Sequence, residues 1–267
     1  MRRRFSKDDI LMEDADLLVV RKYAGMAVQS ARPGQMDLEH ELRNYLAEGQ
    51  TGGQRRIPYL AVIHRLDQPV QGILVFGKNL QAAAALNREL QNGGMEKDYL
   101  AVVEGKPSLP EGVLVDYLIK DGKRNLSQAV EKGTPGAKRA ELSYRLVETV
   151  RKEDSQKEYS LLEIRLKTGR HHQIRVQMAH AGMPLCGDSK YHLQKEAGVE
   201  AEPQGQEKRN VSKAASGQGE LLALCAYRLA FHHPRTGKLL RFWTAPEGEV
   251  FSGFNFQIHA GKVRKKS

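Results

Sequence analysis

Two segments in the middle of the chain, 140–146 and 162–167, alternate apolar with polar residues. Successive side chains of a β-strand point to opposite faces of its sheet, so this alternation is typical of half-buried antiparallel strands. A third segment, 97–105, is also strand-like, and short apolar runs at 10–12 and 17–20 predict two small strands near the start. The sequence therefore predicts a fold with a sheet at its centre.

Three segments have apolar residues at helical spacing instead. The first helix is predicted to begin at Asp37 and to stop at Gly49, and the second runs from a cap at Asn79 to Gly93. A third is expected over 171–181, where Ile174 and Met178 are four residues apart. Helices of this kind pack an apolar face against a sheet, which predicts a mixed architecture.

The longest apolar runs, such as Gly72–Phe76 and Tyr59–Ile63, have the length of strands. They are far shorter than the ~20 residues that cross a bilayer. The basic start of the chain has no hydrophobic region behind it, so no secretory signal is expected and a cytoplasmic location is predicted. Only Cys186 and Cys225 occur, too few for a disulfide framework or a cysteine zinc site, and both are expected to be reduced and buried.

The charge of the chain indicates the class of partner. It has 42 Lys and Arg against 32 Asp and Glu, a formal charge of +10, which favours association with polyanions such as nucleic acid. A soluble basic protein without such a partner is the alternative at this point. We expect one domain over 1–267 with its core in about 10–245, a mobile polar insertion at 193–220 and a solvated basic tail at 260–267.

Three polar motifs occur in order between the apolar segments. They are His64-Arg65-Leu66-Asp67, then Lys97-Asp98-Tyr99, then the run from Thr168 to Arg175, TGRHHQIR. Together with supporting stretches from about Ile10 to Trp243, including Lys22, Asp188 and Tyr191, they resemble the motifs of RluA-type RNA pseudouridine synthases. The resemblance implies an α+β fold, a central, mainly antiparallel sheet with flanking helices and a basic active-site cleft.

The resemblance also implies a reaction and the residues that perform it. Asp67 corresponds to the catalytic nucleophile, Arg175 to the arginine that keeps this carboxylate charged, and Tyr99 to the tyrosine that stacks on uracil. Isomerising uridine to pseudouridine is redox-neutral and neither adds nor removes atoms. No cofactor or metal is therefore expected. The implied partner is structured RNA, ribosomal or transfer RNA, and no protein partner is evident.

Further contacts to RNA are expected from other residues of the three motifs. They are His64, Arg65, Lys97, Arg170, His172 and Gln173. Each assignment has a structural alternative: Asp67 as a turn residue, Tyr99 as a core tyrosine, and Lys97 or Arg175 as solvated charges. The irregular spacing of His64, His171, His172 and His180 argues against a metal site.

The chain departs from the family pattern at three places. Gln68-Pro69-Val70-Gln71 follows the nucleophile where many relatives have a charged pair and Thr-Ser, His171 replaces a common Thr, and Tyr23 replaces the usual Pro. The first two lie beside the expected catalytic residues and affect the choice of substrate. Two other functions are kept as alternatives: a catalytically inactive RNA-binding protein with the same fold, and a metal-dependent nuclease.

Overall fold

The computed structural model describes residues 4–30, 34–48, 57–152, 156–192 and 221–266. The predicted insertion at 193–220 lies outside these residues. The N-terminal part contains strands β1 (Ile10–Glu13) and β2 (Leu17–Lys22), helix α1 (Leu38–Glu48), strands β3 (Ala61–Val62) and β4 (Gln71–Gly77), and helix α2 (Leu80–Gln91). Both helices confirm the sequence prediction, and the side chain of Asn79 accepts the N–H of Ala82 as the cap of α2.

The middle of the chain is a run of long strands. They are β5 (Glu96–Glu104), β6 (Glu111–Asp121), β7 (Leu126–Val130), β8 (Lys138–Arg151) and β9 (Glu158–Leu166). Helix α3 (Gln173–His180) follows, then β10 (Leu224–His232), β11 (Leu239–Trp243), α4 (Glu249–Ser252), β12 (Phe256–His259) and β13 (Lys262–Lys265). The α+β class is confirmed. No helix in the described part of the chain is long and apolar enough to cross a membrane.

One sheet joins most of these strands in the order β1-β2-β4-β10-β5-β9-β8-β6-β7, with β11 on β10 and β3 on β4. Its described pairings are antiparallel except for β4 with β10, which touch only at Gln71 with Cys225 and Gly72 with Ala226. Strand β3 pairs with the far end of β4. The loop from β3 to β4 therefore lies at the start of β4, beside the only described parallel contact of the sheet.

The core consists of apolar side chains between the sheet and its helices. Its largest cluster includes Leu18, Phe76, Leu142 and Met178, all fully buried. Cys186 and Cys225 are buried as predicted. Because the apolar residues of β4 are buried on both faces, this strand has a continuous hydrophobic sequence and the outer strands an alternating one.

The structure differs from the sequence predictions at three places. The cations of the basic tail are exposed, but Lys262–Lys265 also forms a strand with Phe256–His259, which was not predicted, and Val263 of this strand is buried. Helix α3 begins at Gln173, two residues later than predicted, because His172 has φ +53° and leaves the helical conformation. The predicted strand over Tyr59–Ile63 is reduced to Ala61–Val62.

Candidate active site

Asp67 lies in the loop between β3 and β4, where its carbonyl accepts the N–H of Val70 in a tight turn. Leu66 and Val70 on either side are buried in the main core cluster. The carboxylate of Asp67 remains 29% exposed. Burial raises the pKa of Asp67, and the positive charge of Arg175 opposes that rise. The loop thus holds a partly exposed carboxylate between buried neighbours.

Arg175 projects from the first turn of α3 and is 4% exposed. Its Nε and Nη2 donate to the carboxylate of Asp188 at 2.7 and 2.6 Å. The remaining nitrogen, Nη1, lies 3.6 Å from Oδ2 of Asp67. The two-point pairing of this guanidinium is thus made with Asp188 and not with Asp67. Asp67 receives a fixed positive charge at a distance longer than a hydrogen bond.

His172 is the second group that faces Asp67, and its Nε2 lies 3.6 Å from Oδ2 of that carboxylate. Its Nδ1 lies 2.7 Å from the hydroxyl of Tyr191, which also accepts the backbone N–H of Ser127 at 2.9 Å. Burial, followed by the charge of Arg175, lowers the pKa of His172 to about 3, so the ring is neutral. A bare Nε2 lone pair would repel the carboxylate, which favours the tautomer with hydrogen on Nε2 and Tyr191 donating to Nδ1.

His171 stacks on His172 with ring centroids 3.7 Å apart. Its Nδ1 is 2.8 Å from Oγ of Ser127 and its Nε2 is 3.0 Å from Oδ1 of Asn125. Burial and the neighbouring His172 lower the pKa of His171 to about 4. The residue that departs from the family pattern is therefore a neutral bridge from the start of α3 to the β6–β7 hairpin.

Lys22 ends β2 with its side chain fully buried. The ammonium donates to the carbonyls of Tyr23 at 3.1 Å, Met26 at 2.8 Å and Gln68 at 3.1 Å. The third of these belongs to the residue after Asp67. Burial lowers the pKa of Lys22 to about 7, and the negative charge of Asp67 acts in the opposite direction. Lys22 thus ties the end of β2 to the loop that carries the carboxylate.

Tyr99 is on β5 and is 6% exposed, in the same core cluster as Leu66 and Val70. Burial first, and then the nearby charge of Asp67, raise the pKa of Tyr99, which keeps its hydroxyl protonated. Tyr99 is therefore near enough to Asp67 for the charge of the carboxylate to act on its hydroxyl. The core-tyrosine alternative is compatible with this burial, because the ring also packs against apolar neighbours.

The other residues of the first two motifs have different environments. Arg65 is exposed, as an RNA contact requires. Lys97 is half-buried, and its Nζ lies 3.8 Å from the place that a Cβ on Gly169 would occupy, so the second and third motifs meet there. The Nε2 of His64 is buried and has no hydrogen-bond partner in the described part of the chain. Burial and the charge of Lys97 lower the pKa of His64 to about 3.

Gln173 does not fit the predicted contact with RNA. It is buried, its Oε1 accepts from Thr168 Oγ1 at 2.8 Å and from the N–H of Arg170 at 2.9 Å, and its Nε2 donates to Glu141 O at 3.0 Å. These bonds use the amide to shape the loop before α3. Arg170 is exposed and donates through Nε to a backbone carbonyl, that of Arg139, at 3.0 Å. Its position permits a contact with RNA.

Three residues of this site were not predicted to belong to it. Lys22, Asp188 and Tyr191 appear in the sequence only as supporting stretches of the family resemblance. An isolated lysine at the end of an apolar strand is the signal that could have identified Lys22, because a charge there is buried only when it is hydrogen-bonded. Asp188 and Tyr191 lack such a signal, since their partners, Arg175 and His172, are 13 and 19 residues away in the sequence.

One group of side chains has the composition of a metal site. Oxygen and nitrogen atoms of Asp14, Asp16 and His233 lie within 4.8 Å of one another. Asp16 already accepts from Nε and Nη2 of Arg235 at 2.5 and 2.6 Å, and Asp14 lies 2.8 Å from Nε2 of His233. A cation would have to displace Arg235, so these residues are best explained as a structural clamp between the β1–β2 and β10–β11 turns.

Comparisons with known proteins agree with this geometry. A family model described as RNA pseudouridylate synthase matches residues 16–180. The chain is 34% identical over 185 residues to the uncharacterized RNA pseudouridine synthase YhcT of Bacillus subtilis, covering 68% of this chain and 57% of that protein. It is 32% identical over 237 residues to ribosomal large subunit pseudouridine synthase D of Zymomonas mobilis, covering 88% of this chain and 68% of that protein.

Among solved structures, human RNA pseudouridylate synthase domain containing 4 matches with a TM-score of 0.67 at 20% identity, over 97% of this chain and 95% of that one. At such identity the likeness shows the fold alone. The residues that the family model matches include Asp67, Tyr99 and Arg175. The chain belongs to the RNA pseudouridylate synthase family, within its RluA-type branch.

Proposed function

We propose that this protein isomerises uridine to pseudouridine in RNA, with Asp67 as the nucleophile. The observation that carries the proposal is the position of Asp67: a partly exposed carboxylate with Nη1 of Arg175 and Nε2 of His172 each 3.6 Å from its Oδ2. Neither group is close enough to occupy that oxygen with a short hydrogen bond. The charge of Arg175 favours the ionised form of this carboxylate, which still has a lone pair available for a substrate.

The reaction moves the ribose from N1 of uracil to C5. The N1–C1′ bond breaks, a C5–C1′ bond forms, the proton on C5 leaves, and N1 gains a proton. Asp67 supplies the nucleophile or the compensating charge while the glycosidic bond is broken. Tyr99 is proposed to stack on the base; because burial raises its pKa, its hydroxyl stays protonated and serves as a hydrogen-bond donor to the base, not as the acceptor of the C5 proton.

The target uridine must leave its stack to reach Asp67, which costs least in a loop or another unpaired segment. Arg65, Lys97 and Arg170, one from each of the three motifs, are proposed to contact the RNA. Ribosomal RNA is favoured over transfer RNA because the relatives include proteins named for the large ribosomal subunit. The chain spans only part of such relatives, 57% of YhcT for example, so this target belongs to the proposal, as does a cytoplasmic location.

The experiment that tests the proposal is Asp67→Asn, which keeps the shape of the side chain and removes its charge. We expect the variant to bind RNA with unchanged affinity and to form no pseudouridine in total ribosomal and transfer RNA from cells lacking the gene. Asp8→Asn, the same change at an exposed residue, is the matched control and should retain full activity. Turnover by pure Asp67→Asn protein would refute the nucleophile.

The alternative is a catalytically inactive protein that binds RNA with the same fold. It predicts that the wild-type protein binds RNA but leaves every uridine unchanged when offered the complete RNA pool. The intact arrangement of Asp67, Arg175 and Tyr99 argues against it, because an inactive protein has no requirement for a charged carboxylate held in a buried site. Mapping pseudouridines before and after incubation separates the two functions.

A further inference from the structure

The turn between β6 and β7 is a cationic projection next to the active site. Lys120 is exposed near the end of β6, and Lys123 and Arg124 are exposed in the turn that follows. Lys190, also exposed, comes from the segment after α3 and donates through Nζ to the carbonyl of Asn125 at 3.1 Å. These four cations, which we call the tip patch, come from two separate parts of the chain.

The tip patch is strongly one-sided in charge. The acid within the turn, Asp121, uses one carboxylate oxygen to accept the N–H groups of Lys123 at 2.9 Å and Arg124 at 3.0 Å. Its other oxygen lies 3.8 Å from Nε of Arg124. Within the described part of the chain, Lys120, Lys123 and Lys190 have no carboxylate partner. The patch therefore keeps a net positive charge, because Asp121 is paired with Arg124 alone.

Hydrogen bonds attach this turn to His171, in the segment before α3, and to Tyr191. Asn125 and Ser127 each bond to the ring of His171, at 3.0 and 2.8 Å, and the N–H of Ser127 bonds to Tyr191 at 2.9 Å. His171 in turn stacks on His172, which faces Asp67. A turn of solvated residues with no function has no need of such attachment. The bonds hold the tip patch at a set distance from the nucleophile.

We propose that the tip patch binds the phosphates of the RNA strand that flanks the target uridine. This inference rests on the proposed function, because it takes RNA as the molecule that enters the site. Phosphates are the negative groups that recur along such a strand, and contacts to them position the nucleic acid without reading its sequence. His171, absent from the usual family pattern, is the residue that sets the position of the patch relative to Asp67.

The test is the salt dependence of RNA binding by Lys123→Gln/Arg124→Gln, which removes two charges at exposed positions. The probes are a 20-nucleotide single-stranded RNA and a hairpin with uridine in its loop. On single strands, two phosphate contacts contribute about 1.4 to the slope of log K against log salt, so the slope should become shallower by about that amount. Lys238→Gln/Arg241→Gln on the β10–β11 hairpin removes the same charge and is the control.

The proposal predicts that the control keeps the wild-type slope and that Lys123→Arg/Arg124→Lys, which preserves both charges, keeps it as well. Equal slopes for Lys123→Gln/Arg124→Gln and for the control would overturn the proposal. So would a shallower slope that Lys123→Arg/Arg124→Lys shows as well. Pseudouridine formation by the wild-type protein is measured separately on the same RNAs. An active wild type with an unchanged tip slope defeats only this inference, whereas an inactive wild type with the expected slope change defeats only the proposed activity.

Discussion

Arg175 binds Asp188 through two hydrogen bonds, at 2.7 and 2.6 Å, and turns its third nitrogen towards Asp67 at 3.6 Å. Asp188 is fully buried and also accepts the N–H groups of Lys190 and Tyr191, at 3.0 and 3.3 Å. Asp188 thus fixes the guanidinium of Arg175, and backbone N–H groups fix the carboxylate of Asp188. Its charge stabilises ionised Asp67 without tying that carboxylate into a short ion pair.

This arrangement predicts opposite effects for two variants. In Asp188→Asn, Arg175 loses its anionic partner and should move to Asp67, which lowers the pKa of Asp67 and occupies its oxygens. The pH profile should shift its acid limb to lower pH, while the plateau rate falls at least about tenfold, or ~1.4 kcal/mol. Single-turnover rates between pH 4 and 8 measure both quantities. The loss of a buried charge partner should also lower the stability, by about 3–5 kcal/mol.

Arg175→Lys is the contrasting variant. An ammonium cannot bind Asp188 at two points and face Asp67 at the same time, so the carboxylate loses its fixed counter-charge. Asp67 must be ionised to act, and its pKa is already raised by burial. The acid limb should therefore move to higher pH, opposite to the shift in Asp188→Asn. Shifts in the same direction for both variants would contradict the role assigned to Asp188.

The sequence predicted the candidate residues of this site but few of the contacts among them. Asp67, Tyr99 and Arg175 come from three ordered motifs, and the structure places Nη1 of Arg175 3.6 Å from Asp67 and Tyr99 in the core cluster that flanks Asp67. The pairing of Arg175 with Asp188 in place of Asp67 could not be predicted, because it depends on how the segment after α3 folds back against that helix. Gln173 shows the same limit: its motif suggests RNA, whereas its amide is used by the loop that it shapes.

Lys22 should make stability depend on pH. Its pKa is lowered to about 7 in the folded protein, against ~10.4 for an unperturbed lysine. Between these values the unfolded chain binds a proton that the folded chain has released, so stability rises with pH, by up to ~1.4 kcal/mol per unit. Relative to Lys22→Met, the wild type should gain about 2 kcal/mol in free energy of unfolding from pH 7 to pH 9.

Urea unfolding of both proteins at each pH measures this difference. Lys238→Met, the same change at an exposed residue, corrects for the general effect of removing one lysine. Lys22→Met also leaves the carbonyls of Tyr23, Met26 and Gln68 without their donor. It should therefore be less stable than the wild type at both pH values. A constant difference between pH 7 and pH 9 would show that Lys22 keeps its proton throughout.

Tyr191 should influence catalysis through His172. Its hydroxyl is the donor that keeps hydrogen on Nε2 of His172, facing Asp67, so Tyr191→Phe frees Nδ1 to take that hydrogen. A lone pair would then face the carboxylate and raise the pKa of Asp67. We expect the acid limb of the single-turnover rate to move to higher pH, with RNA affinity unchanged.

Tyr45→Phe is the matched control, because it also removes a bonded hydroxyl, from Glu13 at 2.9 Å, but on α1. It should leave the pH profile as in the wild type. A Tyr191→Phe protein that loses rate equally at every pH would have lost packing around His172 and not its tautomer. The sequence could not predict this link, since residues 172 and 191 are joined only by the fold.

The periodicity of the sequence explains which strands were predicted and which were missed. The alternation over 140–146 and 162–167 identified β8 and β9, and the continuous run in β4 identified a buried strand. Strand β13 was predicted only as part of a solvated basic tail, because four of the five residues in 262–266 are cations. Val263 is the one apolar residue among them, and a single apolar residue gives no periodic pattern.

Gly72, in the strand that follows the loop of Asp67, is in very close contact with β10. It has φ +136°, and a Cβ there would lie 2.4 Å from the carbonyl oxygen and 2.5 Å from the Cβ of Ala226. These atoms belong to β10, which meets β4 only at Gln71 and Gly72. Neither a backbone atom nor a Cβ can swing away, so Gly72→Ala must separate the two strands.

We therefore expect Gly72→Ala to lower the free energy of unfolding by at least about 1–3 kcal/mol, the usual range for overpacking in a core. Because the loop of Asp67 runs directly into β4, the protein that remains folded should also show a reduced single-turnover rate at saturating RNA. Gly253→Ala is the control: its φ is −71° and its nearest atom, Val250 O, is at 3.8 Å. It should unfold at the wild-type urea concentration and keep its rate. Wild-type stability and rate in Gly72→Ala would show that β4 and β10 can separate without moving Asp67, and that the parallel contact does not position the nucleophile.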